Sequence, residues 1–131
     1  MVIDSSAIIA ILSDENDAEI LAQAIQSDPI RLVSGASLLE TAIVIESRYG
    51  PIGAKKLDEF IELGGFQIEP VSVEQVTLAR IAYRRFGKGR HPAALNFGDC
   101  FSYALAEAAN EPLLFKGNDF SQTDLQFVLN S

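Results

Sequence analysis

The arrangement that most constrains this chain is the alternation of very short apolar runs with longer helical patterns. The runs are Val2–Ile3, Ile30–Val33, Phe66–Val71 and Leu113–Phe115, with a weaker one at Leu125–Leu129. None is long, and each is rich in Ile, Val, Leu or Phe, as buried parallel strands are. Between them, Ser13–Ser27 sets Ala18, Leu21, Ala22 and Ile25 on one helical face, with Pro29 as a stop. Ser37–Tyr49 is apolar nearly all round and is expected to be buried. Gly50-Pro51 breaks it, and Pro51 suits the first position of a helix running to about Leu63, with Leu57, Phe60 and Ile61 inward. Gly64-Gly65 ends that helix. A further helix covers Val73–Phe86, with Val76, Ala79, Ile81 and Tyr83 mostly inward, and the last spans about Phe97–Ala109 beyond a loop at Gly87–Leu95. Strand–helix alternation of this kind predicts an α/β fold. The expected form is a three-layer α/β/α sandwich with a short-stranded central parallel sheet, in a single domain over residues 1–131.

Composition agrees with a packed domain: 131 residues, of which 48% are hydrophobic, suffice for a core. The single cysteine, Cys100, allows no internal disulfide and points to a reducing compartment. No basic segment precedes the apolar run Ala7–Leu12, and no run reaches the length of a membrane span, so a cytoplasmic location is expected, with no membrane partner. The net charge of −8 argues against a surface coated in positive charge for nucleic acid. It leaves room for an acidic pocket with a local basic rim.

Four acids fall where elements begin or end. Asp4 ends the first strand, with Ser5 and Ser6 opening a helix behind it. Glu40 lies in the first turn after the second strand, Asp99 opens the helix of LNFGDC, and Asp119 follows the fourth strand in LLFKGNDF. In an open parallel sheet these places share one edge, where ligands bind. Gathered carboxylates repel one another, and a hard divalent cation is the natural neutraliser. Each member also has a plainer reading. Ser37-Leu-Leu-Glu40 matches a capping box, Asn96-Phe-Gly-Asp99 matches it loosely, and Asp119 suits an Asx turn. Ser6 reads equally as a helix N-cap.

The set and order of these acids resemble the PIN-domain ribonucleases, specifically the VapC-type toxins of bacterial toxin–antitoxin pairs. The segments carrying the resemblance are VIDSSAIIAIL, ASLLETAIVIESRYG, NFGDCFSYALA and LLFKGNDFSQTDL, and it covers essentially the whole chain. It implies a parallel sheet sandwiched by helices and Mg²⁺- or Mn²⁺-assisted hydrolysis of an RNA phosphodiester. Carried over, the catalytic acids would be Asp4, Glu40, Asp99 and Asp119, with Asp4, Asp99 and Asp119 as metal ligands. Ser6 (or Ser5) and Asn96 would support them, and Asp124 is an alternative to Asp119. The resemblance also implies an RNA substrate, a cognate antitoxin and a homodimer, with surplus apolar residues in Ala7–Leu12 and Ala18–Ile25 forming the contact surfaces.

Arg80, Arg84, Arg85, Lys88 and Arg90, with His91, form the dense basic cluster, a candidate for the RNA backbone or simply a complement to a helix end. His91 reads as a loop residue, Cys100 as a small buried hydrophobe and Lys116 as a solvated strand-end lysine. Tyr49, Tyr83 and Tyr103 do not interleave with basic residues, so no stacking platform is expected. Two alternatives of other classes are a phosphotransfer protein and a non-catalytic binding module. A phosphatase of the haloacid-dehalogenase type wants a second Asp two positions after the first, where Ser6 stands. A receiver wants paired acids at the first strand and an Asp ending its third, where Glu69-Pro70 stands.

Overall fold

The computed structural model describes residues 1–129. In chain order the elements are β1 (Val2–Ile3), α1 (Ser5–Leu12), α2 (Ala18–Gln26), β2 (Leu32–Ser34), α3 (Gly35–Leu63), β3 (Gln67–Glu69), α4 (Val73–Phe86), α5 (Phe97–Ala109) and β4 (Leu113–Leu114). The strands form one sheet in the order β3-β2-β1-β4. Every pairing is parallel, with Val2 level with both Leu32 and Leu113, and Ser34 level with Glu69. The expected α/β/α sandwich is therefore the observed one.

The two-residue period of the strands divides the core. Met1, Ile3, Val33 and Leu114 face one side, where Ala7, Ile8, Leu21, Ile25 and Leu57 of α1, α2 and α3 cover them. Val2 and Leu113 face the other, against Ala82 and Phe86 of α4 and Tyr103 and Leu105 of α5. Because both faces are covered, even two-residue strands are almost wholly buried.

Several boundaries differ from expectation for local reasons. The Asp28 carboxylate accepts from the Ile30 amide at 2.9 Å, and this turn delays β2 to Leu32. Asp14 takes a left-handed φ of 52°, so Ser13–Asp17 is a turn and α2 begins at Ala18. The break at Gly50-Pro51 is a kink inside α3, with Gly50 at φ 63° and ψ −148°. Leu125–Leu129 contributes a single parallel bridge, Phe127 to Leu113, and no strand.

Two burial expectations are corrected. Ser37–Tyr49 is not buried all round: Leu39 is 62% and Ile43 58% exposed. On α4 the inward residues are Gln75, Ala82 and Phe86, while Val76, Ile81 and Tyr83 are exposed. A helix carrying two apolar stripes does not reveal which one faces the sheet. Conversely, α1 and α2 spend most of their apolar residues on the core. Further surplus lies on α3, at Val73 and at Phe97, along with Ile20 of α2, which is 58% exposed. Among the described residues, no helix is long and apolar enough to cross a membrane.

Candidate active site

Parallel strands put the exits of β1, β2 and β4 at one edge of the sheet, and the acids collect there. Asp4, 2% exposed, leaves β1 and is itself the N-cap of α1, its Oδ2 accepting from the Ser6 amide at 3.0 Å. The Ser102 hydroxyl of α5 donates to Asp4 Oδ1 at 2.5 Å. Ser6, read as a possible N-cap, lies inside the helix with Ser5, and both do other things. Ser5 donates from its hydroxyl to Glu40 Oε1 at 2.6 Å. Ser6 Oγ accepts from the Lys116 amide at 3.0 Å, fastening the exit of β4 to α1.

Glu40 sits in the second turn of α3 rather than the first. The capping box expected between Ser37 and Glu40 is absent: Ser34 is the N-cap, without a side-chain bond, and Ser37 shares a hydrogen bond of 3.2 Å with Ser102. Asn96 and Asp99 do form a capping box. Asn96 Oδ1 accepts from the Asp99 amide at 2.9 Å, and Asp99 Oδ2 from the Asn96 amide at 3.0 Å. Capping occupies only part of the Asp99 carboxyl, which also lies within hydrogen-bond reach of Asp119. Asp124 is elsewhere, taking the Tyr103 hydroxyl at 2.5 Å and Arg85 Nη1 at 3.1 Å. Of the two late acids, Asp119 is the one brought to the cluster.

Burial pushes the Asp4 carboxyl up from the ordinary carboxylate range, against the Ser102 and Ser6 hydrogen bonds, and the Glu40 charge adds to the rise. Burial also pushes Asp99 up, to about 8; the Asn96 amide opposes this, and Asp119 and Asp4 reinforce it. Gathered without a counter-charge beside them, these carboxyls resist ionising together. The cluster's donors are carboxylate oxygens, the chemistry a hard divalent cation prefers. Among the described residues, no three Asp, Glu, His or Cys side chains stand in a ready-made metal cage. The donor type nonetheless fits a hard cation. Cys100 and His91 lie outside the donor set, the thiol donating to the Asn96 carbonyl at 3.3 Å and His91 Nδ1 accepting from the Ala93 amide at 3.0 Å.

The basic cluster is split. Arg80 and Arg84, one turn apart on α4, and Lys88 just beyond its end line a groove of about 810 Å³ against α5 that reaches Asn96, the N-cap of α5. Tyr83, Phe97 and Phe101 line the same groove, so the fold interleaves aromatic and basic side chains that the sequence keeps apart. Arg85 points away, bound to Asp124 and stacked 4.6 Å over the Phe86 ring. Arg90 is exposed in the loop before α5. Lys116 is not simply solvated: it pairs with Glu15, and with Asp17 at 3.2 Å. Ser102 is the site residue that sequence reasoning missed. Its signal was position, three residues after Asp99 and so on the same helical face.

A profile of the PIN domain matches residues 1–125. The chain belongs to the PIN-domain family. Among relatives of this PIN domain, a ribonuclease VapC of Mycolicibacterium smegmatis is 56% identical over 128 residues, covering 98% of this chain and 99% of the relative. Ribonuclease VapC30 of Mycobacterium tuberculosis is 53% identical, covering 98% of each. The fold is similar to that of Mycobacterium tuberculosis VapC20, described as a sarcin-ricin loop cleaving toxin, with a TM-score of 0.77, 18% identity and 95% of each chain covered. It is also similar to VapBC2 of Rickettsia felis, solved bound to a promoter DNA fragment, with a TM-score of 0.74, 13% identity and coverage of 96% of this chain and 95% of that one. At such identities the solved structures speak for the fold of this PIN domain alone.

Proposed function

We propose that this PIN domain is a divalent-metal-dependent endoribonuclease and the toxin of a toxin–antitoxin pair. The observation that carries the reading is the joining of Asp4, Glu40, Asp99 and Asp119, from four distant parts of the chain, into one cluster with a strongly raised Asp99. Relatives above 50% identity that are named ribonuclease VapC support it from a separate direction. Asp4, Asp99 and Asp119 would hold Mg²⁺ or Mn²⁺, with Glu40 beside them. The bound ion would supply activation of water and stabilisation of the leaving oxygen. Glu40 is oriented by the Ser5 hydroxyl, and Asn96 keeps Asp99 in place through the capping box. Ser6 acts by fixing the chain that leads to Asp119.

Arg80, Arg84 and Lys88 give the RNA backbone a positive path to the acids, a local rim that the overall charge of −8 conceals. Arg85 and Arg90 stand outside that path. The exposed apolar residues Leu39, Ile43, Ile52, Val73 and Phe97 supply surface for an antitoxin and for a second copy of this chain. The test is incubation with RNA and Mg²⁺ or Mn²⁺, with and without EDTA, beside Asp4→Asn, Asp99→Asn and Asp119→Asn. Cleavage is expected only in the wild type with free metal. Cleavage that persists in EDTA or in all three variants would overturn the reading.

A further inference from the structure

Beneath the acids, at the contact between α3 and α5, lies a pair of buried hydroxyls that the proposed chemistry does not itself employ. Ser102 is wholly buried and Ser37 is 1% exposed, and they lie 3.2 Å apart. A hydroxyl has one proton to give. Ser102 gives its proton to Asp4 Oδ1, and in the ionised form that would hold a cation Asp4 only accepts. The proton in the second bond must then come from Ser37, so the chain runs Ser37 to Ser102 to Asp4. Thr41, also buried, donates to the Ser37 carbonyl at 2.8 Å one turn further along α3 and holds the start of that helix in place.

We infer that Ser102, backed by Ser37, is the positioning residue of Asp4: it sets the carboxylate for the divalent cation before the cation arrives. This rests on the metal-dependent reading above. Two fixed bonds, from Ser102 to Oδ1 and from the Ser6 amide to Oδ2, define the plane of the carboxylate. The Ser6 bond comes with the helix cap and survives any change at residue 102. Ser102 is therefore the side chain that removes the remaining rotation about the Cβ–Cγ bond. Groups that orient metal ligands typically govern metal affinity by about ten- to a hundredfold.

The experiment measures Mn²⁺ affinity by calorimetry and by loss of the free-ion EPR signal, without RNA, alongside the melting temperature of the metal-free protein. Ser102→Ala is expected to weaken Mn²⁺ binding by about tenfold or more. Ser37→Ala is expected to weaken it less, and to add nothing in the Ser102→Ala background, because it acts only through Ser102. A purely structural pair would change melting without that dependence. Wild-type-like affinity in Ser102→Ala, or additive losses in the double variant, overturns the positioning role and leaves the metal reading standing. If Ser102→Ala does not fold, Ser37→Ala decides, since unchanged affinity there also overturns the relay. Failure of the wild-type protein to bind Mn²⁺ overturns both.

Discussion

A β-carbon placed on Gly98 would collide with Glu40 Oε2 and lie only 3.0 Å from Glu40 Oε1. The opening of α5 is thus pressed against the Glu40 carboxylate, and only a residue without a side chain leaves that carboxylate where Ser5 holds it. Gly98→Ala should retain the fold, since the obstacle is the tip of a flexible side chain and alanine favours a helix by about 1 kcal/mol. Cleavage should fall by up to about a hundredfold through displacement of Glu40. Unchanged cleavage by a well-folded Gly98→Ala would separate Glu40 from catalysis.

Stability of the metal-free protein should fall as pH rises. Asp99 ionises near 3.8 when unfolded and at about 8 in the folded chain, so the folded state holds its proton more tightly. That contribution is complete below the ordinary value and is lost as pH climbs towards 8. Burial raises Asp4 as well, with the same sign. Asp28 and Asp124 are lowered, and their contribution is lost instead on the acid side, as pH falls below the ordinary range. Thermal melts in chelator should therefore show a decline from pH 5 to pH 8, and Asp99→Asn should flatten it.

Added Mn²⁺ should reverse that decline at pH 8. An ion at about a hundred times its Kd adds about 2.7 kcal/mol to the folded state, which scanning calorimetry reads as a higher Tm. Asp119→Asn should start from a higher metal-free Tm, because it relieves Asp99, and should gain little from the ion. An equal gain in the variant would exclude Asp119 from the ion's site.

The arginines of α4 should separate by face. Replacing both Arg80 and Arg84 with Ala should weaken RNA binding and flatten its salt dependence by about 0.7 in log–log slope for each phosphate left without its cation. Arg85→Ala should leave RNA affinity near wild type, since that guanidinium is engaged with Asp124 and Phe86. Fluorescence anisotropy at several salt concentrations distinguishes these outcomes.

What the sequence exposed was local punctuation and order. The bounds of α4 and α5 were readable because Ser72 and Asn96 cap them, and the acids because each follows a strand or opens a helix. What it hid were relations across distance. Ser102 and Asp4 are 98 residues apart, and nothing local marks them as partners. The Ser37–Glu40 spacing matched a capping box, yet in the fold both side chains turn to other elements: Glu40 to Ser5 of α1, and Ser37 to Ser102 of α5. The side of α4 that meets the sheet was hidden for another reason, because its second apolar stripe forms the groove.

Asp4 and Asp99 each stand at the amino end of a helix, and Glu40 lies near the start of another. The aligned peptide dipoles of α1 and α5 therefore direct their partial positive charge toward Asp4 and Asp99. Permanent dipoles require no diffusing ion, so the protein should complete its fold on synthesis and be loaded with metal afterwards. Under the metal-dependent reading, folding then precedes loading, and the cation adds stability to a domain already formed.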